Sequence, residues 1–182
     1  FQVWGAPGTV ISNLAVTGDY DIGFYIRASD NSVVKDVTMT GTFDYAAVYP
    51  NRGNNYTVSN VKIDATVTGW YAGTIFLYDT QNITATGNTI SGNSIRGIYA
   101  ISSHDATITG NTITGSIGIN GIDLNISPSG KVTGNTIPAT ATYRHGIRTW
   151  NSPDAKITDN TISGEGRMAI VVMGGEVPSH PS

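Results

Sequence analysis

Apolar residues return along this chain at a spacing much longer than the period of a helix or a strand. Anchored on the last residue of Ala106-Thr-Ile-Thr-Gly-Asn-Thr-Ile113, the series reads Val16, Met39, Ile63, Ile90, Ile113, Ile137, Ile162, in steps of 23, 24, 27, 23, 24 and 25 residues. Five residues before each anchor stands another small or apolar residue, from Ile11 and Val34 to Val132 and Ile157. Between the two lies a polar break: Gly87-Asn88, Gly110-Asn111, Gly134-Asn135, Asp159-Asn160, with Asn13 and Asp36 one place earlier in the first coils. Gly and Asn tolerate a left-handed backbone, so each break predicts a tight bend. The units are rich in Thr, Ile and Val, which favours strands. A third apolar segment follows each anchor, as in Gly97-Ile-Tyr-Ala100, Gly121-Ile-Asp-Leu124 and Gly146-Ile-Arg-Thr149.

Three short strands and three bends in about two dozen residues predict an all-β solenoid, a single-stranded right-handed parallel β-helix of about seven coils. Coils stacked at about 4.8 Å would make a rod roughly 34 Å long. Residues 10–173 form the helix and residues 1–9 a partial coil or cap, with Trp4 expected to plug the open apolar end. Residues 174–182 read as a tail or linker, since Pro178 and Pro181 remove ladder donors. The start in mid-coil points to a piece of a longer precursor. The pattern I-T-G-N-T-I…G-I-x-x is similar to the repeats of the pectin-lyase-like superfamily of right-handed parallel β-helices. That resemblance covers about residues 10–173 and implies a secreted or cell-surface protein. It also implies that the corner leading into the third strand, with that strand's sheet, lines a polysaccharide cleft.

The spacings agree on where variation is allowed. From the third strand to the next coil the separation is ten or eleven residues, whereas from the anchor into the third strand it ranges from eight to eleven. Insertions are thus confined to one corner, and variable loops beside a rigid sheet are where solenoids place binding function. In the third strands, Phe24, Ala47, Thr74, Ile98, Ile122, Ile147 and Ile170 are expected inside. Tyr25, Val48, Ile75, Tyr99, Asp123, Arg148 and Val171 are expected outside. Tyr99, Asp123 and Arg148 then fall in register, flanked by Arg96, Arg144 and His145, with Trp70 and Tyr71 at the upper edge. Aromatic rings stack on sugar faces and Arg pairs with uronate carboxylates. Tyr99, Asp123, Arg148 and His145 are therefore the catalytic candidates, a base and an electrostatic partner toward C5 of a uronate. Trp70, Tyr71, Arg96, Arg144 and Tyr25 are the substrate-binding candidates. The plainer alternative is a cross-strand Asp123–Arg148 ion pair on a structural or adhesive rod, with a possibility of self-association through the β-helix ends.

Composition narrows the rest. A net charge of −3 disfavours nucleic acid, whose affinity comes from clustered Lys and Arg. The absence of Cys removes any disulfide framework, and no apolar run is long enough to span a membrane. Clustered carboxylates of a hydrolase are missing, as is any recognised metal motif. No cofactor is expected beyond a weak calcium possibility at Asp19, Asp21 and Asp44. The Asn88, Asn111, Asn135 and Asn160 series is expected to stack as a structural ladder.

Overall fold

The computed structural model describes residues 1–174; the rest of the expected tail lies outside the described residues. All of its regular structure is strand, and every strand pairing is parallel, each segment lying beside its counterpart one coil away. The chain therefore winds as a β-solenoid of about seven coils. In the first two coils the strands run through the bends as Val10–Arg27 and Val33–Asn54. Later coils break into separate pieces such as Thr107–Thr109, Thr112–Ile113 and Ser116–Asn125. The core is one continuous file of stacked apolar residues from Val3 to Ile147.

The first bend has a left-handed residue in every coil: Asn13, Asp36, Asn60, Gly87, Gly110, Gly134 and Asp159. The residue after it differs between the two halves of the rod. In coils four to seven it is Asn88, Asn111, Asn135 and Asn160, which form the expected ladder. Asn88 Nδ2 donates to Asn111 Oδ1 at 2.9 Å, and Asn111 and Asn135 repeat the contact downward at the same distance. In coils one to three the position holds Leu14, Val37 and Val61, and Asn88 Oδ1 closes the ladder by accepting the Val61 N–H at 3.0 Å.

A second ladder, absent from the sequence reading, runs along the bend after the third strand. Ser103 N–H donates to Ser127 Oγ at 3.1 Å and Ser127 N–H to Ser152 Oγ at 3.0 Å, while the hydroxyls donate to carbonyls in the previous coil. Where this series reaches Gly53 there is no hydroxyl, and Tyr56 supplies one. Its hydroxyl accepts the buried Ser29 N–H at 2.9 Å. A Cβ on Gly53 would lie 2.5 Å from that oxygen, which is why the place is glycine. Tyr56→Phe leaves the Ser29 N–H without a partner and is expected to cost about 1–2 kcal/mol in urea unfolding.

Trp4 is not the plug expected. Strand alternation along Gln2–Trp4 sends Val3 into the core and Trp4 outward, 63% exposed, with the Arg27 guanidinium 4.7 Å over its ring. Phe1 makes an edge contact with Phe24 at 6.0 Å instead.

Candidate functional site

The third-strand sheet has a different register from the one expected in coils two and three. Phe24 pairs with Val48, Val48 with Ile75, and Ile75 with Ile98, so Val48 and Ile75 belong to the core rather than the surface. Ala47 and Thr74 remain buried one place earlier. With this correction the separation to the next coil's first strand becomes ten residues throughout, so the length variation is confined wholly to the corner before the third strand. The outward row is then Tyr25, Tyr49, Phe76, Tyr99, Asp123, Arg148 and Val171.

Its upper half is an aromatic file. Tyr49 stacks on Phe76 at 4.8 Å and Phe76 on Tyr99 at 5.3 Å, with Tyr25 tilted against Tyr49. The rings cover one another's faces, and Tyr49, Phe76 and Tyr99 are buried. Burial raises the phenol pKa of Tyr49 and of Tyr99, so neither is poised to act as a base. Tyr99 Oη accepts a hydrogen bond from Asn125 Nδ2 at 3.1 Å, and the Arg96 guanidinium lies 4.6 Å over its ring. Tyr99 is thus a platform for Arg96, and sugar has no free face there. Trp70 and Tyr71, 63% and 77% exposed on the longest insertion, do present free rings.

The lower half is ionic. Asp123 is fully buried, and both of its oxygens are occupied. Arg148 reaches them in bidentate fashion, Nε to Oδ1 at 2.9 Å and Nη2 to Oδ2 at 2.7 Å. Arg96 Nε adds a bond to Oδ2 at 3.1 Å while its Nη1 donates to the Trp70 carbonyl at 2.9 Å, tying the inserted loop to the cluster. Asn120 Nδ2 supplies the last bond at 2.7 Å, and Asn120 Oδ1 lies 2.9 Å from His145 Nδ1. Asp123 therefore anchors two guanidiniums, and no oxygen of it is left to take a proton from substrate. The cross-strand Asp123–Arg148 pair of the plainer alternative is present, and it is buried.

The bend that brings these groups together depends on glycine. Gly121 and Ile122 both face the interior, which places Asn120 and Asp123 side by side on the outer surface. A Cβ on Gly121 would lie 2.7 Å from both the Gly146 carbonyl and the Ile137 side chain. Gly146 plays the same part between His145 and Arg148, its Cβ position meeting the Ala169 carbonyl at 2.6 Å.

The structure thus gathers Tyr99, Asp123, Arg148, His145 and Arg96 into one hydrogen-bonded and stacked cluster. It leaves Tyr25 in the aromatic file and Arg144 exposed at the cluster's lower edge. The sequence places Asn120 in the loop leading into the third strand but gives it no role, and it does not single out Asn125 or Arg167 as site residues. Arg167 was within reach, because it stands 23 residues after Arg144 and faces it from the next coil. Burial, then the charges of Arg144, Arg148 and Arg167, lower the pKa of His145 below its ordinary value. Asp19 Oδ1 accepts the Thr42 N–H at 3.2 Å. Among the described residues no three His, Cys, Asp or Glu side chains gather as metal ligands, at the acidic loops or elsewhere, and no helix is long and apolar enough to cross a membrane.

Residues 1–176 match the family model described as periplasmic copper-binding protein (NosD). No curated protein matches the chain.

Proposed function

From the premise that the chain belongs to the NosD family, we propose that it is a secreted or cell-surface β-solenoid module that binds an acidic polysaccharide along its third-strand face. The family's periplasmic address agrees with that location. The observation that carries the reading is the distribution of charge. A chain of net charge −3 with ten Lys and Arg places four of them, Arg96, Arg144, Arg148 and Arg167, on this face of the last four coils. Among the described residues only Asp123 and Glu165 oppose them there, and Asp123 is spent holding two. The exposed rings of Trp70 and Tyr71 stand at the upper end of the same strip and suit sugar stacking. Kinship with the pectin-lyase-like proteins belongs to this proposal. Binding is favoured over cleavage or epimerisation, because Asp123 and Tyr99 are both committed to holding arginines.

Copper, carried in the family's name, does not fit the residues described. The chain has no Cys, Met39 is sealed in the core, and the one buried imidazole commits Nδ1 to Asn120. Met168 is the neighbour of His145 on the next coil, and among the described residues no three His, Cys, Asp or Glu side chains gather around them or elsewhere. No metal step enters the proposal.

Titration calorimetry with uronate and neutral oligosaccharides tests the reading. Binding is expected for the uronate alone, weakening steeply with salt. It should fall about tenfold or more in Arg144→Ala/Arg167→Ala, a loss of roughly 1.4 kcal/mol or more. Trp70→Ala should weaken it by a smaller factor. Indifference to every glycan, together with concentration-dependent association, would favour the spacer rod.

A further inference from the structure

His145 is held in one tautomer by its neighbours. Both oxygens of Asp123 accept from guanidiniums, so Asn120 presents its NH2 to it and its carbonyl oxygen to His145. An amide oxygen only accepts, so the imidazole hydrogen sits on Nδ1. Among the described residues, the buried side-chain nitrogens and oxygens without a partner are Ser32 Oγ and Asn51 Oδ1. His145 Nε2, which has no partner among the described residues, therefore touches solvent. Protonating Nε2 would disturb nothing in the network, since the Nδ1–H bond is the same in the imidazole and the imidazolium.

The surroundings are those of an anion site. Arg144 precedes His145, and Arg167 faces Arg144 from the seventh coil at strand spacing. Like charges directly opposite across a ladder oppose folding, and among the described residues no carboxylate bridges them. Resting on the polysaccharide reading above, we infer that Arg144, His145 and Arg167 form a proton-coupled subsite for one carboxylate or sulfate group of the glycan. The anion lies between the two guanidiniums and accepts a hydrogen bond from Nε2–H, the proton being taken from solvent as the ligand binds. The groups around the imidazole are Arg144 and Arg148 on its own strand, Asn120 and Asp123 from the fifth coil, and Arg167 and Met168 from the seventh. Glu165 lies on the same strand as Arg167. Burial and then the positive neighbours lower the pKa of the imidazole, and an arriving anion opposes that field.

The test is calorimetry of a galacturonate trisaccharide in buffers of different ionisation enthalpy, repeated between about pH 8 and about pH 5.5, the range that brackets ordinary His titration. Uptake of a fraction of one proton is expected, with affinity rising about tenfold on acidification, as a one-unit rise of the His145 pKa on binding would give. In His145→Gln the uptake should vanish and affinity should stay flat at its high-pH value. Tight wild-type binding without proton uptake, or a slope that survives in His145→Gln, would overturn the subsite and leave the binding reading intact. No binding by the wild-type protein would overturn both. Should the variant unfold, NMR titration of the wild-type imidazole decides: a pKa that does not rise on ligand addition overturns the inference.

Discussion

Asp123→Ala is expected to lower the unfolding free energy by about 3 kcal/mol, read as a shift of the urea midpoint at unchanged slope. The carboxylate itself is fully buried, and its removal strands two guanidiniums and the Asn120 NH2. Breaking a buried pair from one side costs about 3–5 kcal/mol. The lower end applies because both arginine side chains keep 12% exposure and can recover some water. The origin of the loss is separable. Asp123→Leu combined with Arg96→Met and Arg148→Met removes all three charges at similar volume, so most of the stability should return. A single variant as stable as the parent would show that the cluster holds nothing together.

Asn111→Ala is expected to cost about 3–5 kcal/mol, and on the order of 10 °C in melting temperature for a chain of this size. Asn111 is buried in the middle of the amide ladder. Its Oδ1 accepts from the Asn88 N–H at 3.0 Å and from Asn88 Nδ2, and its own Nδ2 donates to the Ala85 carbonyl at 2.9 Å and to Asn135 Oδ1. Alanine orphans groups in two neighbouring coils and leaves a small void as well. Asn160 offers the internal comparison: it ends the series and is only half-buried, so Asn160→Ala should cost about 1–2 kcal/mol. Equal losses at the two positions would mean that the ladder is a row of independent contacts.

Much of this was legible in the residues because a solenoid repeats its own evidence. Ile108, Val132 and Ile157 sit in register as their spacing requires, and the amides of Asn88 to Asn160 interlock as their alignment suggested. Tyr99, Asp123 and Arg148 do fall on adjacent coils. The slip in coils two and three was not legible, because Ala47-Val48 and Thr74-Ile75 each offer two residues that tolerate burial. What selects between them is the stacking of Tyr49 on Phe76 and of Phe76 on Tyr99, contacts between coils that no single repeat contains. Asn120 was legible as a residue of the corner before the third strand, but not as a partner of Asp123. Alternation assigns it to the opposite side from Asp123, and only two successive inward residues at Gly121-Ile122 bring the two together.

The fourth coil has a consequence of its own. It carries the last ring of the aromatic file, Tyr99, and the first amide of the ladder, Asn88. Above it the coils are braced by hydrocarbon and stacked rings; below it, by amides and charge. Since coil energetics in a solenoid pass only between neighbours, the two segments answer differently to heat and to salt. High ionic strength should tighten the lower segment rather than loosen it, because its ion cluster is buried and screening relieves the repulsion between the facing Arg144 and Arg167.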